Sequence, residues 1–336
     1  MRTADSSPTT AGHRRTAATG GPGRAARVGV PTIPLPRESA QAAARTARPV
    51  RAPGASVPAA ASTGVAELLR GPVRQARVLL SVPAAVYLAV QTPQGTDVVG
   101  VLTSDAARLP LGLVLSRPAN GRPLVSVPSG APATVGAGRL TVGDLTVSAA
   151  AWWEPRPKLP GAQPSLLPEG VRTLRTTLYG DSPHSAFTLP GLPGGPSGPL
   201  AALRGAVRRA DLDAALRTAT RLVGLGPGLT PAGDDVLAGT VAGLVLLGHP
   251  DAERFGAGVH ALAAGRTTEL SRALLRHAAA GRVSGEFAAV VRGLVGQGDL
   301  TGALATLLAT GATSGRAMAL GLCTAIDLAE RTTRPR

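Results

Sequence analysis

Apolar and polar positions follow three different rhythms along the chain. The first 64 residues show no sustained period and few large apolar side chains (Val28, Val30, Ile33, Leu35, Val50). That is too little apolar surface to offset the entropy of ordering, so a disordered tail is expected there. From about residue 78, short apolar runs alternate with turn residues. Arg77–Val82, Ala85–Val90, Thr96–Leu102, Leu111–Leu115 and Pro123–Val127 read as strands. Leu140–Val142 and Leu145–Val147 flank Gly143-Asp144, a tight hairpin turn. Thr92-Pro93-Gln94-Gly95 has the proline and glycine placement of a type I turn.

Residues 156–200 are punctuated by proline, with a short helix near Val171–Tyr179, and Leu189–Leu200 is too rich in Pro and Gly for regular structure. From 201 the spacing becomes helical. Leu200–Val223 reads as one amphipathic segment, and Asp235–Leu247 as a helix apolar all round and hence buried. Further helices are expected at 252–264, 268–280, 286–297, 299–309 and 314–330. The expected fold class is α+β, a small antiparallel β domain followed by a mainly helical domain. The boundaries are a tail at 1–64, a β-rich domain at 65–155, a connection at 156–200 and a helical domain at 201–332.

Composition and charge narrow this picture. One cysteine in 336 residues excludes a disulfide scaffold and a cysteine-based zinc site. The net charge of +15 invites a nucleic-acid reading, yet nine arginines against Asp5 and Glu38 put +7 of it within residues 1–60. Only Lys158 is a lysine, and aromatics are 2% of the chain, which leaves no stacking platform for single strands. No apolar run is long enough for a membrane span, and the tail lacks a secretory apolar core. A cytoplasmic protein with neither nucleic-acid nor membrane partners is expected.

The segment richest in chemistry is Gly224-Leu-Gly226-Pro-Gly228-Leu229-Thr230-Pro231-Ala-Gly233-Asp234-Asp235. Thr230 before Pro231 predicts a hydroxyl N-cap followed by proline at the first helical position. Such a loop presents backbone N–H groups at a helix start, which suits a small anion. Asp234 and Asp235 in the first turn are either capping charges or carboxylates that orient a substrate or hold Mg²⁺. The spacing matches neither common nucleotide loop. Two other helix starts are of the same kind. Arg266, Thr267, Thr268 and Ser271 form one, and Thr313, Ser314, Gly315 and Arg316 the other; the arginines could serve as anion partners. His13, His184, His249, His260 and His277 show no metal-ligand spacing, Cys323 sits among apolar residues, and Glu286 opens a helix.

The 224–235 run resembles the signature of the AllH-type family, a bacterial family formerly of unknown function and associated with a subunit of oxamate carbamoyltransferase. Arg266-Thr-Thr268 with Ser271, Gly281, Glu286, Gly311, Thr313-Ser314-Gly315 and Gly321 are similar to its later blocks, and the resemblance extends over about residues 65–330. Ala232 stands where the family pattern leads one to expect serine. Arg316-Ala317 departs from an apolar or aromatic residue followed by aspartate.

The resemblance implies interconversion of oxalurate and phosphate with oxamate and carbamoyl phosphate in allantoin and purine breakdown, together with fdrA-like and other partner subunits. Gly226, Gly228, Leu229, Thr230 and Gly233 would then bind the anion with Arg266, Thr267, Thr268, Thr313, Ser314 and Gly315. Asp234 and Asp235 would be catalytic, with Mg²⁺ the one candidate cofactor. The alternative is a non-catalytic binding or scaffold subunit of such a complex.

Overall fold

The computed structural model describes residues 56–180, 189–195 and 197–332. The expected tail up to residue 55, His13, His184 and the basic residues after Thr332 lie outside these. Eight strands carry the first half: β1 (Val57–Ser62), β2 (Arg74–Val82), β3 (Ala85–Thr92), β4 (Gly95–Leu102), β5 (Gly112–Leu115), β6 (Pro132–Gly136), β7 (Arg139–Val142) and β8 (Leu145–Trp153). They form a closed barrel in the order β1-β5-β4-β3-β2-β6-β7-β8. Six of its pairs are antiparallel, but β4–β5 and the closing β1–β8 pair are parallel.

This corrects the expectation of a small antiparallel β domain followed by a mainly helical domain. The closing strand β1 lies within the stretch whose composition read as tail. Its inward residues are Ala59 and Ala61, 4% and 0% exposed, so it carries no alternation of large apolar side chains. Its partner β8 is some 90 positions away, and turn signals reveal only sequential hairpins. Strand β6 was missed because it starts at Pro132. Conversely, Pro123–Val127 is not a strand; it is tied to β2 by the Leu124 N–H donating to the Val82 carbonyl at 2.9 Å.

The helices are α1 (Ala66–Arg70), α2 (Pro168–Tyr179), α3 (Pro199–Arg208), α4 (Leu212–Leu222), α5 (Ala232–Leu246), α6 (Ala252–Leu262), α7 (Glu269–Ala279), α8 (Gly285–Leu294), α9 (Leu300–Leu308) and α10 (Ser314–Thr332). The segment expected to run unbroken from 200 to 223 is split into α3 and α4. Ala210 adopts a φ of 54°, and the Asp211 carboxylate caps α4 by accepting the Ala214 N–H at 2.9 Å. The barrel and the helices belong to one compact unit. Leu270 and Ala273 of α7 are part of the barrel's own apolar core, so α7 joins the two halves. The ion pairs Arg77–Glu269, at 2.5 Å, and Arg276–Asp97 tie the same helix to β2 and β4.

Helix α5 is the centre of the helical half, with every residue buried except Val245. It packs on α10 at backbone contact. A Cβ on Gly239 would collide with the Met318 carbonyl, one on Gly321 with the Val236 carbonyl, and one on Gly243 would stand 2.6 Å from the Ala325 Cβ. Because contacts advance in the same direction on both helices, α5 and α10 run parallel and their N-termini lie at the same end.

Gly321→Ala forces this seam apart and is expected to destabilise the fold by about 2 kcal/mol or more, as overpacking of a tight core does. Urea unfolding followed by circular dichroism measures it. An unchanged midpoint would contradict backbone contact between α5 and α10.

Candidate functional site

The loop from α4 to α5 is shaped by close approach. Gly224, at φ 72°, lies against the Arg266 carbonyl, and Gly233 lies against the Leu222 carbonyl, in each case where a Cβ would collide. The Gly233 N–H donates to the Leu225 carbonyl at 2.9 Å, so this helix-start N–H is used inside the fold. Gly226 and Gly228 carry φ values of 120° and 90°. The N–H groups of Gly226, Gly228, Leu229 and Thr230 donate to no group among the described residues. The N-cap of α5 is Pro231, one residue later than the Thr-Pro pattern predicts, and it makes no side-chain cap. The Thr230 hydroxyl instead lies 3.1 Å from that of Ser314, at the first residue of α10.

The three Gly/Thr-rich helix starts therefore meet in space. The Thr268 hydroxyl donates to the Leu229 carbonyl at 2.5 Å and caps α7 by accepting the Ser271 N–H at 3.0 Å. The Thr267 hydroxyl donates to Asp234, whose other oxygen accepts the Gly224 N–H at 2.8 Å. Both Asp234 oxygens thus hold the loop to the start of α7. Burial raises its pKa, against the lowering effect of bonds from Thr267, Gly224 and Ser271.

Asp235, the next residue, faces elsewhere. It is 5% exposed, and its Oδ2 is buried with no hydrogen-bond partner among the described residues. Burial pushes its pKa up to about 7, against a lowering bond from Ser314; the nearby Asp234 adds to the rise. A carboxyl group with that pKa exchanges a proton readily at neutral pH.

Asp235, Thr230 and Ser314 line a cleft of about 270 Å³ between the barrel and the helices. Tyr87 of β3 and Leu109 and Pro110 of the β4–β5 connection form the barrel wall; Leu229, Leu274 and Met318 form much of the helical wall. Burial raises the Tyr87 pKa to about 12, which keeps its phenol neutral. The cleft's cation is Arg282, in the turn between α7 and α8, and it forms no ion pair among the described residues. Ser284, the N-cap of α8, lies beside it.

The expected anion partners divide accordingly. Leu229, Thr230 and Ser314 line the cleft, whereas Gly226, Gly228, Gly233, Arg266, Thr267, Thr268, Thr313 and Gly315 do not. Arg266 is exposed and donates to the Thr220 carbonyl at 2.7 Å, capping the end of α4. The Thr313 carbonyl accepts the Ala317 N–H, and Gly315 packs on the Leu307 carbonyl. Arg282 was missed in the sequence. Its one signal is its place in Gly281-Arg-Val-Ser-Gly285, a capped turn between two helices.

The two aspartates do not present two free carboxylates to one cation, because Asp234 is spent on Gly224 and Thr267. No group of three or more His, Cys, Asp or Glu side chains with metal-binding geometry occurs among the described residues. The pair does not fit a Mg²⁺ site. His277 is 3% exposed, with both ring nitrogens lacking partners among the described residues; burial and Arg276 hold its pKa down to about 4. Glu286 accepts the Arg108 N–H at 3.1 Å, fastening the β4–β5 connection to α8. Cys323 is buried, as its apolar neighbours predict.

Residues 222–326 match the family described as oxamate carbamoyltransferase subunit AllH, a match that starts at the last residue of α4, includes the glycine loop, ends within α10 and supports assignment to the AllH-type family. The family name is that of a subunit of a transferase. No curated protein and no solved structure matches the chain. No helix among the described residues is long and apolar enough to cross a membrane.

The two aspartates should separate cleanly on substitution. Asp234→Ala strands the Gly224 N–H and the Thr267 hydroxyl and is expected to destabilise by about 1–3 kcal/mol. Asp235→Asn should do the opposite above neutrality. The folded-state pKa of Asp235 is raised, so its penalty is absent only well below pH 4, where the group is protonated in both states. The penalty grows as pH rises and is complete above about 7. Denaturation midpoints at pH 3 and pH 8 test this: Asp235→Asn should match the native chain at the lower pH and exceed it at the higher.

Proposed function

We infer that this chain is the substrate-binding, proton-transferring subunit of an oxamate carbamoyltransferase-like enzyme and acts with other subunits. One observation carries the reading: a buried carboxyl whose Oδ2 has no partner among the described residues shares a cleft with an arginine that forms no ion pair among them, where the N-termini of α5 and α10 meet. The family match at 222–326 supports the substrate class.

In phosphorolysis of oxalurate, a phosphate oxygen attacks the ureido carbonyl carbon. The bond from that carbon to the oxamate nitrogen breaks, and the nitrogen takes a proton as it leaves. Neutral Asp235 supplies that proton and regains one from the attacking hydrogen phosphate, so charge and protons balance over the cycle. In the reverse direction Asp235 takes the proton from the oxamate nitrogen. Arg282 binds the carboxylate or phosphate through charge-assisted bonds. The Thr230 and Ser314 hydroxyls, with the parallel dipoles of α5 and α10, stabilise charge developing on the carbamoyl oxygen. The apolar walls exclude water, which strengthens each of these interactions and limits hydrolysis.

A bound anion disfavours ionised Asp235 and so holds the group in the form that donates a proton to the leaving nitrogen. Oxalurate, oxamate and carbamoyl phosphate are all small anions, and a cleft with one arginine and one protonated carboxyl is complementary to them.

The test is carbamoyl phosphate formation from oxalurate and phosphate by the chain together with its partner subunits. Asp235→Asn is expected to lower kcat by about 10²–10⁴-fold and to abolish the limb of the pH profile near 7. Arg282→Gln should mainly raise KM. Full activity in Asp235→Asn would move the chemistry to another subunit and leave this chain a binding or scaffold subunit.

A further inference from the structure

Away from the cleft, a groove of about 600 Å³ runs between α2, α3 and the last turns of α10. Five arginines converge on it, Arg172 and Arg175 from α2, Arg204 and Arg208 from α3, and Arg331 from α10, against the two carboxylates of Asp327 and Glu330. Arg175 spans both carboxylates, at 2.7 Å from Asp327 and 2.9 Å from Glu330. Arg204 lies 3.4 Å from Asp327 and stacks 4.7 Å above the Tyr179 ring. These contacts fix two of the arginines and neutralise the acidic pair.

The remaining cations are not neutralised in this way. Arg208 and Arg331 form no ion pair among the described residues. Arg172 meets only Glu169, at 3.5 Å and with both side chains more than 70% exposed, a pair of the kind that contributes little. Three helices thus bring to one concavity three guanidiniums that no buried carboxylate among the described residues offsets. Guanidinium forks match phosphate oxygens in bidentate geometry. The volume lies within the range of about 300–1,000 Å³ typical of small-ligand sites and exceeds what one phosphate would fill. Val171 and Tyr179 give the groove an apolar floor beside its charges.

We propose that this groove binds a ligand carrying two linked phosphates, of the nucleoside diphosphate class. It shares no residue with the cleft, so the proposal stands apart from the carbamoyl-transfer reading. Isothermal titration of the full chain with ADP, pyrophosphate and adenosine tests it. ADP and pyrophosphate are expected to bind, more weakly as salt is raised, and adenosine is not. Tighter binding of ADP than of pyrophosphate identifies the nucleotide as the source of the diphosphate, and equal affinities identify the free diphosphate. Arg208→Gln combined with Arg331→Gln alters two exposed positions, so the fold should persist while affinity falls about tenfold or more. Asp235→Asn should leave ADP affinity unchanged. Absence of binding by both phosphates, or equal affinity in the double variant, overturns the proposal.

Discussion

The contact on which the remaining geometry depends is the backbone-to-backbone seam between α5 and α10. Where Gly239, Gly243 and Gly321 lack side chains, the two helices approach until carbonyl groups meet the opposing Cα atoms. Such proximity fixes both the spacing and the axial register of the pair, because a slide by one residue would put a side chain into a carbonyl. Register is what places Asp235 on the first turn of α5 beside Ser314 on the first turn of α10. The parallel direction makes the two helix dipoles add at one point rather than oppose. An aliphatic core without the glycines would still bury these helices, but at a separation where Thr230 and Ser314 could not share a hydrogen bond.

Helix α7 extends this order to the barrel. One of its faces contributes Leu270 and Ala273 to the barrel core; its N-cap holds the Leu229 carbonyl, and its C-terminal turn leads into Arg282. The cleft is therefore a junction feature, with walls from β2, β3, the β4–β5 connection and the ends of several helices. The mostly apolar lining follows from this origin. Surfaces that would otherwise have continued as core part slightly around a few polar groups, as small-molecule sites commonly do.

Local chemistry was the most legible part of the sequence. The glycine loop, the aspartate pair and the hydroxyl-rich helix starts announced themselves, and the structure brings all three starts together. Their division of labour was hidden. Asp234 and Asp235 are adjacent and chemically identical, and only the 100° turn per residue sends one to the Gly224 N–H and the other into the cleft. Arg266 sits among the expected anion partners in sequence, yet its guanidinium reaches the Thr220 carbonyl. The barrel's closure was invisible for another reason. β1 is built of small residues and pairs in parallel with a strand far along the chain, so neither periodicity nor turn chemistry marks it. The break between α3 and α4 was masked by alanine, which extends a helical pattern across Ala210 despite its left-handed backbone.

Asp235 is also the point where the fold works against its own stability. Every other residue of the α5 turn that carries it is either apolar or hydrogen-bonded, while Asp235 keeps one oxygen dry and unpartnered. A residue shaped only by packing would not be a carboxylate there, since an apolar or amide side chain of similar size removes the desolvation penalty. Penalties of this kind persist where a site needs them, because the low polarity that destabilises the ionised group also sets its pKa near neutrality. The seam that holds α5 in place is what lets the fold tolerate that group. With backbone contacts along the helix on both sides, local relaxation that would admit water to Asp235 is opposed by the packing of the whole α5–α10 pair. Rigidity at Gly321 and proton exchange at Asp235 are thus two consequences of one arrangement.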